Sequence, residues 1–133
     1  MEGDLPATST PTRVQLSTCT VEISATPNNV IVTLGGELDM ADAERIGDIL
    51  AESASAGKPT VSVDLAGLTF ADSSAVKSIL RGATAAEENG VSYELLNPHG
   101  SVRRLLKVTG LTEALTVVID PDDQEGPNSL SAS

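Results

Sequence analysis

The feature of this sequence that most limits its fold is an alternation between two hydrophobic periods. Short segments in which every second residue is apolar, typical of β-strands, alternate with longer segments in which apolar residues recur every three or four positions, typical of α-helices. The predicted strands are residues 19–23, 30–34, 60–65, 91–96 and 116–119. The predicted helices begin after Asp39, near Ser73 and at Ser101. The predicted order is therefore β-β-α-β-α-β-α-β.

This order predicts an α/β fold with a mixed, mostly parallel sheet of four to five strands. The turn residues Thr26-Pro27-Asn28-Asn29 separate the first two strands, which favours an antiparallel N-terminal hairpin. The later strand–helix–strand units have short links, which favour right-handed crossovers and parallel pairing. Because the hairpin brings no helix of its own, we expect the helices to cover mainly one face of the sheet.

Each predicted helix has an apolar stripe that we expect to be buried. Asp39 is a good N-cap residue for the first helix, and Gly110 is suited to end the third. The stripes consist of Ala43, Ile46, Ile49, Leu50 and Ala54 in the first helix, Val76, Ile79, Leu80 and Ala83 in the second, and Val102, Leu105 and Leu106 in the third.

Composition limits the core and the partners. Hydrophobic residues make up 40% of the chain and aromatic residues only 2%, so the core must be aliphatic. The formal net charge of −11 disfavours nucleic acid and anionic membranes as partners. A basic protein surface fits this charge better, although acidity also serves solubility alone.

The termini and the single cysteine predict one cytoplasmic domain. Residues 1–12 and 121–133 are rich in proline, hydroxyl and acidic residues, so we expect two disordered tails around a domain at residues 13–120. Neither a signal peptide nor a membrane span is recognisable, which favours the cytoplasm. Cys19 lies among alternating apolar residues, where a lone cysteine is usually a small buried hydrophobe. No cofactor or metal site is predicted.

The segment from Val63 to Leu80, VDLAGLTFADSSAVKSIL, is the most informative part of the chain. A strand ends in a short loop, and the next helix begins at once with Asp72, Ser73 and Ser74. Aspartate and serine are both preferred N-cap residues, so plain capping explains these three residues on local grounds. A phosphate would also be tolerated here, because a helix N-terminus favours negative charge.

This segment resembles the signature of STAS-domain anti-sigma factor antagonists, in which an apolar strand is followed by Asp-Ser-Ser or Asp-Ser-Thr and a helix. Two further stretches are similar to that family: Gly36-Glu37-Leu38-Asp39 after the second predicted strand, and 102–111 in the third-helix region. The resemblance covers about residues 14–119. The chain departs from the family pattern at Ala75 and Lys77, where the family has glycine.

The resemblance implies a STAS fold and a regulatory binding function without catalysis. It implies that Ser73 is phosphorylated, that the unphosphorylated protein binds an anti-sigma factor with serine kinase activity, and that phosphorylation ends this binding. We expect Asp39 and Asp72 to contact the partner or orient the Ser73 hydroxyl, and Ser74 to cap the helix. Ala75 and Lys77 complete the expected partner surface of a monomer.

Three alternatives remain at this stage. A hydrolase is disfavoured because the Gly-x-Ser-x-Gly pattern is absent and His99 is the only histidine. A phospho-receiver domain is disfavoured because the first predicted strand offers only Glu22 where acidic metal ligands are needed. A STAS module that serves as a scaffold, or as a subunit of a transport complex, cannot be separated from sigma-factor control by these residues.

Overall fold

The computed structural model describes residues 11–119, which form six strands and four helices. The strands are β1 (Thr12–Gln15), β2 (Cys19–Ala25), β3 (Asn29–Leu38), β4 (Thr60–Ala71), β5 (Ser92–Leu96) and β6 (Thr116–Val118). The helices are α1 (Met40–Ala54), α2 (Ser73–Asn89), α3 (Gly100–Val108) and α4 (Leu111–Ala114). The tails predicted at residues 1–12 and 121–133 lie outside the described residues, except that Pro11 and Thr12 are described.

The strands form a single mixed sheet in the order β1-β2-β3-β4-β5-β6. β1, β2 and β3 pair antiparallel, whereas β3, β4, β5 and β6 pair parallel through helical crossovers. This topology confirms the predicted α/β class, the N-terminal hairpin and the largely parallel sheet.

The structure adds elements that the sequence patterns did not predict. β1 is a further antiparallel strand, so the sheet has six strands where four to five were expected. β4 continues to Ala71, six residues beyond its predicted end at Leu65. α4 is a single turn between α3 and β6, and Gly110 precedes it with a positive φ of 85°, as expected for the residue that ends α3.

One face of the sheet carries the core. The register places Val21 opposite Leu34, and Val32 opposite Val63, which in turn pairs with Leu95. All five side chains are fully buried. Because successive residues of a strand point to opposite faces, these positions define one apolar face.

The other face of the sheet is polar where β3, β4 and β5 meet. The Ser62 hydroxyl donates a 2.6 Å hydrogen bond to the Glu94 carboxylate, and the Asn29 amide donates a 3.2 Å bond to Ser62. These side chains satisfy one another, so this face differs from the face on which the helices pack.

The two long helices pack closely against each other on the apolar face. In α1, Ile46, Ile49, Leu50 and Ala54 are buried as predicted. The buried stripe of α2 was predicted wrongly at Leu80, which is 40% exposed. α2 instead turns Ser78 and Gly82 toward the interior, and the Ser78 hydroxyl donates to the Ala43 carbonyl of α1. Small residues at this face allow the two backbones to approach.

Candidate functional site

The ends of two adjacent parallel strands bring the sequence-predicted site residues to one edge of the sheet. Leu38 at the end of β3 pairs with Ala71 at the end of β4. The Asp72 backbone N–H donates a 3.3 Å hydrogen bond to the Leu38 carbonyl. Asp39 and Asp72, the residues that follow these strands, are the N-caps of α1 and α2. The structure therefore places two helix N-termini side by side.

Each aspartate caps its own helix. The Asp39 carboxylate accepts a 3.0 Å hydrogen bond from the Ala41 N–H. Asp72 Oδ1 accepts from the N–H groups of Ser74, at 2.9 Å, and Ala75, at 3.3 Å. The prediction that Ser74 caps α2 is wrong, because Asp72 already occupies the cap position and satisfies the orphan N–H groups of the first turn. Ser74 is instead the second residue of the helix.

Ser73 is the first residue of α2 and is exposed. Within residues 11–119, its hydroxyl makes no hydrogen bond, and neither Asp39 nor Asp72 orients it. The expectation that one of these carboxylates positions the hydroxyl therefore does not hold in this structure. No internal hydrogen bond fixes the orientation of this hydroxyl, which is exposed beside the capped N-termini of α1 and α2.

Ala75 and Lys77 lie in different environments. Ala75 is fully buried in the core, so its methyl group cannot contact a partner and we remove it from the predicted partner surface. Lys77 is exposed on α2, four residues after Ser73. Residues four apart on a helix lie on the same side, so the Lys77 ammonium is within reach of a phosphate on Ser73.

Two exposed apolar side chains belong to the same edge and were missed by the sequence interpretation. Met40, the first residue of α1, is 78% exposed, and Phe70, which pairs with Glu37 near the end of β4, is 44% exposed. Their positions, directly after Asp39 and two residues before Asp72, were the only signal in the sequence. Apolar character alone would have assigned both to the core.

Asp42 stabilises this edge of the sheet through hydrogen bonds, a role that the sequence interpretation did not identify. Its buried carboxylate accepts hydrogen bonds from the backbone N–H groups of Thr18, at 2.8 Å, Cys19, at 3.0 Å, and Ser17, at 3.1 Å. Burial by itself would raise the pKa of the Asp42 carboxyl, but these three donors outweigh it and hold that pKa below its ordinary value. The carboxylate thus fastens the β1–β2 turn to the first turn of α1.

The β1–β2 turn is in turn bonded to the end of β3. The Glu37 N–H donates a 3.0 Å hydrogen bond to the Thr18 carbonyl, and the Thr18 hydroxyl donates a 3.0 Å bond to the Glu37 carbonyl. Gly36, with φ of 83°, lies against the Thr18 carbonyl, and a Cβ atom at Gly36 would be 2.6 Å from the Thr18 oxygen. Asp42 therefore fixes, through Thr18, the segment that leads to Asp39.

Other chemistry-bearing residues do not join the site. His99 Nε2 lies 2.7 Å from the Ala66 carbonyl and fastens the start of α3 to β4. Cys19 is buried. Burial, and to a smaller extent the negative charge of Asp42, raises the pKa of its thiol to about 11.

Among residues 11–119, no cluster of three or more His, Cys, Asp or Glu side chains is arranged to hold a metal ion. No helix in that range is long and apolar enough to cross a membrane.

The six-stranded sheet with its N-terminal antiparallel hairpin is the fold of a STAS domain. The protein-family profile described as "Mlab, STAS domain" matches residues 21–119. The chain belongs to this family, as its sequence motifs implied. A search of curated proteins gives no match.

Solved structures with the same fold include proteins described as anti-sigma factor antagonists. One from Mycobacterium paratuberculosis has a TM-score of 0.70 and 19% identity, covering 86% of this chain and 93% of its own. A STAS-domain protein of this kind from Planctomyces limnophilus has a TM-score of 0.67 and 18% identity, covering 85% and 98%. The Bacillus cell-fate determinant SpoIIAA, in its phosphorylated form, has a TM-score of 0.58 and 24% identity, covering 90% and 98%. These likenesses establish the shared fold.

Proposed function

We propose that this protein is an anti-sigma factor antagonist controlled by phosphorylation of Ser73. Unphosphorylated, it binds an anti-sigma factor that has serine kinase activity; phosphorylated, it is released. The observation that carries the proposal is the exposed Ser73 hydroxyl, which makes no internal hydrogen bond while Asp72 caps the helix. Modification of Ser73 would therefore cost the fold none of its hydrogen bonds. Structural neighbours described as anti-sigma factor antagonists, one of them in a phosphorylated form, support the proposal.

The partner surface consists of Met40, Phe70, Lys77 and Ser73, together with the capping residues Asp39 and Asp72. Met40 and Phe70 are large apolar side chains left open to solvent at the sheet edge that carries the serine. Burying them against a partner would supply the apolar contact that stabilises an interface core. The two aspartates have carboxylate oxygens engaged by the helix N-termini, so they add fixed negative charge at this edge.

A phosphate on Ser73 would change this surface by charge rather than by shape. It adds about −1.5 to −2 charges at neutral pH beside Asp72 and Asp39. A partner carboxylate about 4 Å from the phosphate would be repelled by about 4 kcal/mol per unit charge at an effective dielectric constant near 20. Half of that repulsion already weakens binding more than tenfold. Lys77 can offset only part of it, since an exposed ion pair contributes about 1 kcal/mol or less.

The test is to measure binding of the purified anti-sigma factor to wild-type protein, Ser73→Ala and Ser73→Glu. We expect Ser73→Ala to bind as wild type does and Ser73→Glu to bind at least tenfold more weakly. Thr84→Glu is the matched control, because it adds the same charge to an exposed position of α2 away from its N-terminus. Equal binding by Ser73→Glu and Ser73→Ala would contradict the proposal. Recovery of transporter subunits instead of an anti-sigma factor from the native cell would contradict the choice of partner.

A further inference from the structure

α3 presents a concentration of positive charge that is unusual for this acidic chain. Arg103, Arg104 and Lys107, three of the eight cationic residues of the protein, lie on this helix and are exposed. Residues three and four apart share a side of a helix, so they form one surface, which we call the α3 basic face. The opposite side holds Val102 and Leu106, both buried in the core.

The α3 basic face forms no ion pair with the described part of the protein. Within residues 11–119, the ion pairs join Arg13 to Glu22 and Arg81 to Asp48, and none involves α3. Three cations on one short helix repel one another, so the face favours an anionic occupant. Such an occupant must also carry several charges, because single exposed ion pairs are weak.

A polyanionic segment follows the described residues within the same chain. Residues 120–125 read DPDDQE and contain four acidic side chains, at positions 120, 122, 123 and 125. The segment begins two residues after Val118, the last residue of β6, whose carbonyl accepts a 2.8 Å hydrogen bond from the Asn97 N–H. Asn97 precedes the first residue of α3, Gly100, by only three positions. The chain therefore leaves the described part near the start of α3.

Chain dimensions allow the segment to reach the face. The three-residue link from Asn97 to Gly100 spans at most about 11 Å when extended. α3 has nine residues and is about 13 Å long, with Arg103 and Arg104 near its middle. Six extended residues span about 20 Å, enough to follow the helix from its start past both arginines.

We propose that residues 120–125 dock on the α3 basic face of the same chain. The signs of charge are opposite, and the covalent link raises the effective concentration of the segment above that of any free acidic partner. The contact consists of exposed ion pairs, so salt weakens it, and an acidic partner surface can displace it. This docking is independent of the Ser73 switch, because it involves a different helix and none of the residues of the partner surface.

Paramagnetic relaxation measures this contact in the full-length protein. A nitroxide on Gln124→Cys broadens the amide signals of nearby residues in a ¹⁵N spectrum. The native Cys19 should stay unlabelled, because it is buried and the pKa of its thiol is raised to about 11. At low salt we expect intensity loss concentrated on the amides of α3, and recovery of that intensity at about 1 M salt, where the screening length is about 3 Å.

Charge variants separate docking from mere proximity of the label. Arg103→Glu combined with Arg104→Glu and Lys107→Glu should restore the α3 intensities at low salt. The matched control, Arg45→Glu with Lys58→Glu, removes cations elsewhere and should retain the loss. Replacing the four acidic residues of the segment by Asn or Gln should also restore the intensities, without altering any residue of the described part.

Two results would overturn the proposal. The first is an intensity loss on α3 that is the same in wild type, in the α3 charge reversal and in the neutralised segment, because it would reflect the tether alone. The second is a loss that appears in ¹⁵N-labelled, spin-free protein mixed with unlabelled spin-carrying protein, because the segment would then dock on a second copy.

Discussion

Replacing Asp42 by alanine should destabilise the protein far more than replacing an exposed aspartate of the same helix. Three backbone N–H groups lose their acceptor, and they differ in exposure. The Cys19 N–H belongs to a fully buried residue, so leaving it unsatisfied costs about 1–3 kcal/mol. Ser17 and Thr18 are exposed residues whose N–H groups water can reach, so each bond costs about 0.5–1 kcal/mol. The sum is a loss of about 3 kcal/mol in the free energy of unfolding.

Urea unfolding at pH 7 measures this loss. With a denaturant slope of about 1.5 kcal/mol/M, we expect the midpoint to fall by about 2 M. Asp48→Ala is the matched control, because Asp48 forms a half-exposed 2.8 Å ion pair with Arg81 that contributes about 1 kcal/mol or less. If Asp42→Ala lowers the midpoint no further than Asp48→Ala, the carboxylate does not hold the β1–β2 turn.

The lowered pKa of Asp42 gives the same interaction a pH dependence. A carboxyl whose pKa is lower in the folded than in the unfolded state stabilises the protein fully above the unfolded value, about 3.9. This contribution is lost as the pH falls through the folded value. The stability difference between wild type and Asp42→Asn should therefore be constant from pH 7 to about 5 and shrink below about 4. A difference that does not change down to pH 2 would contradict the pKa direction.

Two further predictions concern the packing of the helices and the thiol. Gly82→Ala should lower the free energy of unfolding by about 1–3 kcal/mol, because the added Cβ would lie 2.8 Å from the Leu50 Cβ. This loss is expected even though alanine has a higher helix propensity than glycine. Gly47→Ala should be neutral or stabilising, because the atom it meets belongs to the flexible Arg81 side chain; equal urea midpoints for the two variants would contradict this packing. Cys19 should react with a thiol reagent at pH 8 at least 100-fold more slowly in the folded protein than in urea, and rapid labelling of folded protein would contradict its burial.

The main features of the fold follow from local sequence patterns. Alternating apolar residues predicted β2, β3, β5 and β6, because one face of each of these strands contacts the core. Asp39 was predicted as the cap of α1 because its side chain and the helix it caps are neighbours in sequence. Asp39 and Asp72 were both expected at the partner surface, and the structure places them side by side because parallel neighbouring strands end at the same edge of a sheet.

The features that were missed depend on contacts between distant parts of the chain. β1 has exposed residues on both faces, and only its pairing with β2 defines it as a strand. Leu80 fits the helical spacing, but the turn of α2 toward α1 leaves it at the rim. Asp42 looks like an acid placed for the helix dipole, whereas its hydrogen-bond donors lie 23 to 25 residues earlier. No local pattern distinguishes an acid with such partners from one without them.

Ser73→Glu should change the stability of the protein little, which separates the proposed switch from unfolding. A negative charge at the first residue of a helix gains about 0.3–1 kcal/mol from the helix dipole. Repulsion from the nearby carboxylates of Asp72 and Asp39 opposes this gain by a similar amount at an exposed site. Ser73→Gln matches the size without the charge, so the free energies of unfolding of the two variants in urea should agree within about 1 kcal/mol. A glutamate variant less stable than the glutamine variant by about 2 kcal/mol or more would mean that charge at Ser73 acts on the fold, and weakened binding would then no longer identify a docking surface.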